Sequence, residues 1–158
     1  MKSTPSLKRQ WRRSRILIHE FTHHAMFLDE LRYGHYAYAE ILKRSTWARS
    51  AILNVDRPLD KVLHSTVVAV EVLLWRNAHL GHPVQSRVHP PTDVLIEQVS
   101  SSIASMEASV QQNQAVFQPR ALALLANAKR VMANVFGRPS TEATHRHEGA
   151  MPLPASTL

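Results

Sequence analysis

Cysteine is missing from all 158 residues. Disulfides and thiolate metal sites are therefore excluded, and any metal must be held by His, Asp or Glu. Glycine is scarce, at four residues, and no Gly-rich phosphate loop or internal repeat occurs. No apolar run approaches the ~18 residues of a membrane span. Acidic residues are missing from the start: Lys2, Lys8, Arg9, Arg12, Arg13 and Arg15 all precede the first, Glu20. Only Ile16-Leu17-Ile18 follows that basic run, where a secretory signal peptide needs ~7–15 apolar residues. The compartment stays open, because a basic, serine-containing, acid-free N-terminus also has the character of an organelle-targeting segment.

What remains is apolar and basic: 44% hydrophobic residues and a net charge of +7. That suits one compact, helix-rich domain with acidic partners. The patterning predicts a mainly α fold of four to five packed helices with little or no sheet. Residues 1–14 read as a basic flexible arm, 15–137 as a single helical domain and 138–158 as a disordered tail. A first helix is expected from Ser14 to Leu28, broken at Tyr33-Gly34, and a second from His35 to Asn54. Residues 59–80 are the most apolar helix, with Leu59, Val62, Leu63, Val67, Val70, Leu73 and Leu74 on one stripe. Thr92 or Asp93 is expected to cap the next helix, whose narrow seam of Val99, Ile103, Met106 and Val110 suggests an outer element or partner surface. Pro119 opens a last helix to Phe136, with Leu122, Leu125, Ala126, Val131 and Val135 as core candidates. His79, His82 and His89 stand in or beside a proline-rich loop, and His145 and His147 in the tail. Neither spacing defines a closed metal site.

One stretch carries chemistry. His19-Glu20-Phe21-Thr22-His23 is an H-E-x-x-H sequence, the signature of zinc peptidases. On a helix, residues four apart share a face, so His19 and His23 can present two imidazoles to one Zn2+ ion. Glu20 stands one residue round, positioned as general base for a water acidified by the metal.

The following residues resemble the aspzincins, the deuterolysin and peptidyl-Lys metalloendopeptidase group. That family's pattern is H-E-x-T-H, a short loop ending in G-T-x-D, then Y-G, and later A-x-x-N-A-D. Here Thr22 supplies the threonine, Tyr33-Gly34 the Y-G pair, and Ala51-Ile-Leu-Asn54-Val55-Asp56 is similar to the last element. The resemblance covers about residues 16–56. It implies zinc-dependent cleavage of a protein or peptide substrate, with Glu30 at the family's third-ligand position and Tyr33 stabilising the oxyanion. Asp29, at the metzincin-like spacing after His23, is the alternative third ligand. The G-T pair is replaced by Phe27-Leu28. Zincins of this group also place a sheet before the active helix, and eighteen residues precede His19 here. The resemblance thus implies a truncated, minimal or degenerate domain, or one completed by a protein partner. The rival reading is a basic helical subunit of a larger (ribonucleo)protein assembly. In it, Trp11 and the basic residues of 8–15 stack on bases and contact phosphates.

Overall fold

A computed structural model describes residues 5–80 and 89–137, with the backbone alone given for 5–15 and 80. The expected tail, with His145 and His147, and the loop residue His82 lie outside the described residues. The fold is mainly helical. Helix α1 spans Pro5–Tyr33, α2 is a single turn at Tyr38–Ile41, α3 spans Leu59–Trp75, α4 Thr92–Gln112 and α5 Pro119–Phe136. Short turns of other helical types occupy Arg44–Thr46, Arg76–Leu80 and Gln114–Val116.

Helix α1 is longer at both ends than the expected 14–28. Pro5 stands at its first position, where a missing N–H costs nothing, and no glycine or proline interrupts residues 6–33. At 29 residues it is about 44 Å long. The basic segment therefore belongs to the same helix, at least from residue 5. Gly34 ends it: its φ is +64°, and its amide donates to the Glu30 carbonyl at 2.8 Å, the left-handed stop that glycine adopts without steric cost.

The expected second helix does not form beyond α2. Past Ile41 the chain makes a turn at Arg44–Thr46 and then a two-stranded antiparallel sheet, β1 (Ala48–Arg49) and β2 (Asp56–Arg57), in the register Ala48↔Arg57 and Arg49↔Asp56. The connecting turn uses Asn54 at φ +53°, a conformation asparagine tolerates better than most residues. Thr46 also turns its hydroxyl back onto the carbonyls of Glu40 and Lys43, offering the backbone a local alternative to helix.

Helix α3 is the centre of the bundle and touches α1, α4, α5 and β1. Residues on almost every side of it are buried, including Leu59, Val62, Leu63, Thr66, Val68, Ala69, Val72 and Leu73, as a helix surrounded by others requires. The seam of α4 faces inward instead of outward: Val99, Ile103 and Met106 are buried in the common core. Pro91 stands at the N-cap of α4, with no side-chain hydrogen bond there. The serines beside the seam hold the small sheet. Ser102 donates to the Arg49 carbonyl at 2.6 Å, Ser105 accepts from the Arg49 amide at 3.0 Å, and Ser109 donates to the Thr46 carbonyl. Helix α5 runs as expected, burying Ala121, Leu125, Ala128 and Met132, while Ala126 and Val135 are exposed.

Candidate metal centre

The most concentrated set of ionisable groups lies where α1 ends. Gly34 reverses the chain, and the next residues pair with the strand-like segment before α5. The His35 carbonyl accepts from the Gln118 amide, and the Ala37 amide donates to the Val116 carbonyl, both at 2.9 Å. This pins His35 under the last turn of α1, where it is fully buried. Its Nε2 donates to Asp29 at 2.8 Å. On the other side, Arg120 of α5 grips Asp29 through Nε at 2.9 Å and a terminal nitrogen at 2.5 Å.

Glu30 is the second carboxylate of the corner. One oxygen accepts from the Tyr38 hydroxyl at 2.7 Å, and the other lies 2.9 Å from Nε2 of His64, a buried imidazole on α3. Glu30, His35 and His64 each offer a donor atom, and the three atoms lie within 4.8 Å of one another. This is the group of three metal-capable residues found among the described residues.

The chemistry of the donors suits a divalent transition ion. Two imidazoles and one carboxylate form a familiar zinc ligand set with a fourth position left open. Because Nε2 of His35 donates to Asp29, the neutral ring keeps its lone pair on Nδ1, which is buried and has no hydrogen-bond partner. A buried acceptor without a partner is costly, so this nitrogen is an uncommitted donor atom of the fold. A carboxylate on the far nitrogen is also the usual means of fixing a ligating imidazole.

Electrostatics point the same way. Burial pushes the His64 pKa down against the pull of the Glu30 hydrogen bond, favouring the neutral ring that can bind metal. The Arg120 hydrogen bonds, then His35, hold Asp29 below the usual carboxylate range, so it remains a charged acceptor. Burial and the Glu30 contact push the Tyr38 hydroxyl up to about 12, so it stays a proton donor.

The residues singled out from sequence are divided by this arrangement. His19 and His23 share a face, with ring centroids 4.7 Å apart. Glu20 is exposed beside them. Because α1 is unbroken, Asp29 and Glu30 stand about 9 and 10.5 Å further along the axis than His23. Neither acid is gathered with His19 and His23 into a three-donor group among the described residues. Glu30 joins His35 and His64 instead, and Asp29 supports His35. Tyr33 is 57% exposed, with the guanidinium groups of Arg32 and Arg120 over its ring, and Tyr38 is the phenol bonded to the cluster.

His35, His64, Tyr38 and Arg120 were not candidates from sequence. The available signals were slight: an imidazole set among Val62, Leu63 and Val67 on an apolar helix, and a histidine directly after a helix-ending glycine. No family model, curated protein or solved structure matches the chain.

Proposed function

We propose that this protein binds a divalent transition metal, Zn2+ by its donor set, at Glu30, His35 and His64, and that it acts as a zinc-dependent hydrolase. The observation carrying the reading is the close approach of three donors, one each from Glu30, His35 and His64. When bound, the ion would supply Lewis acidity and lower the pKa of water at the open position. The protein's own groups do the rest. Asp29 fixes the His35 tautomer, Arg120 keeps Asp29 charged, and Tyr38 orients Glu30. Peptide bonds are the substrate class implied by the resemblance around His19-Glu20-Phe21-Thr22-His23. The experiment is metal analysis of the purified protein beside His35→Ala, His64→Ala and Glu30→Gln. Loss of one tight zinc equivalent in all three is the expected result, that site's dissociation constant weakening at least ~100-fold. An unchanged zinc stoichiometry in all three would refute the site.

A second reading has its own observation. Leu17, Phe21, Leu28 and Leu31 lie on the outward side of α1 and are 66, 75, 68 and 85% exposed. So wide an apolar face is what an assembly subunit presents to its partners. In this reading residues 8–15 at the head of the same helix contact nucleic acid, and binding to RNA falls steeply with added salt. Salt-independent or absent RNA binding would count against it.

A further inference from the structure

We propose that His19, His23 and His89 form a second, all-imidazole metal site, distinct from the Glu30–His35–His64 corner and not dependent on it. The starting point is a contact that sequence spacing does not suggest. His89, buried just before α4, brings Nε2 to 3.2 Å from Nδ1 of His19 on α1, seventy residues earlier in the chain. The two rings stack with centroids 4.9 Å apart. Two nitrogens bound to one tetrahedral zinc, at ~2.0–2.1 Å each, stand about 3.3 Å apart. The observed pair already has that spacing. In the metal-free form one N–H lies between the rings. Binding needs a tautomer shift, in which that proton moves to the ring's other nitrogen, and a turn of the rings that aims both inner lone pairs at one ion.

His23 supplies the third donor. It follows His19 by four residues on the same helix face, and the two rings meet edge to face. The three imidazoles are not gathered as a ready-made three-donor group among the described residues, and the partly buried His23 would complete the site by a side-chain rotation. The fold holds His89 in place from behind. Arg76, fully buried, donates to the Pro90 carbonyl at 2.8 Å and lies 3.4 Å from the Thr92 hydroxyl. The segment that carries His89 is thus tied to the end of α3. This third ligand is a histidine from beyond α3, where the resemblance implies an acid a few residues after His23. An all-imidazole set suits Zn2+, Ni2+ or Cu2+ over Mg2+ or Ca2+.

The test is a Zn2+ titration of the full chain against a chromophoric chelator, repeated with Co2+ to read coordination from visible absorption. Wild type is set beside His19→Ala, His89→Ala, His35→Ala and the double variant His35→Ala/His89→Ala. The expected result is about two tight equivalents in wild type, about one in each single variant and none in the double. One equivalent kept in His35→Ala and lost in His89→Ala would also support this site, while removing the Glu30–His35–His64 reading. One equivalent lost in His35→Ala and kept in His89→Ala overturns the second site and leaves the first. Two equivalents that survive His19→Ala and His89→Ala overturn it as well. If His89→Ala does not fold, His19→Gln on the partly exposed helix face replaces it. A wild-type count of one equivalent that His19→Gln retains then decides against the site.

Discussion

The two ends of the H-E-x-T-H stretch and its sequel lie on one helix and meet different fates. At the His19–His23 end, two imidazoles share a face, but α1 itself brings no third donor near them. At the Asp29–Glu30 end, the helix stops, the chain folds back, and three other elements contribute His35, His64 and Arg120. The difference is one of geometry. A helix carries its residues forward about 1.5 Å each, so a continuous helix spreads ligands along its axis instead of gathering them. Gathering requires a reversal, which Gly34 makes, or a neighbour, which α3 and the segment before α4 provide.

The largest effect should come from removing the carboxylate that supports the well-built end. Asp29→Asn leaves His35 without a charged acceptor and Arg120 without its ion pair. We expect zinc affinity to fall about 10–100-fold and stability to fall by about 1–3 kcal/mol. Glu20→Gln, at the exposed motif end, should change stability by no more than about 0.5 kcal/mol. Equal effects of the two substitutions, read by metal titration and urea midpoint, would erase the contrast.

A smaller effect is expected from the reversal itself. No atom lies within 4 Å of the position a Cβ would take at Gly34, so Gly34→Ala meets only the backbone cost of φ +64°. That cost is about 1–2 kcal/mol. It should appear as loss of thermal stability with the bundle intact, and a stabilised Gly34→Ala protein would contradict the role given to this turn.

The smallest effect is a pH dependence. In the folded, metal-free protein the pKa values of His23 and His64 are both lowered from 6.5, chiefly by burial. The unfolded chain therefore binds protons first as the pH falls. Stability should be full above about 6.5 and decline as the pH drops below it toward the lower folded values. His64→Gln should flatten this decline more than His23→Gln, since His64 is the more deeply buried. Urea midpoints at pH 7.5, 6 and 5 would show it, and a rise in stability on acidification would be the opposite of what is expected.

Much of the fold was legible in the residues themselves. The apolar stripe of 59–80 marked the central helix and Pro119 the start of α5, whereas α1 runs over Pro5–Tyr33, past both expected ends, because no glycine or proline stops it over 6–33. The second expected helix was misread because Thr46, Ser50 and Asn54 satisfy the backbone by short-range contacts that periodicity does not register. The inward turn of the α4 seam was equally hidden, since a narrow apolar stripe packs as well on a core as on a partner.

The amino-acid sequence by itself determined that any metal must be held by histidine and carboxylate, that the fold is helical, and that His19 and His23 share a face. Those properties are local: donor type, helical period and residue size act over a few residues. Only the tertiary structure decided which donors meet. His64 reaches Glu30 across 34 residues, Arg120 reaches Asp29 across 91, and His89 reaches His19 across 70. Such meetings depend on where packed helices cross and where one glycine turns the chain, which no short-range pattern encodes.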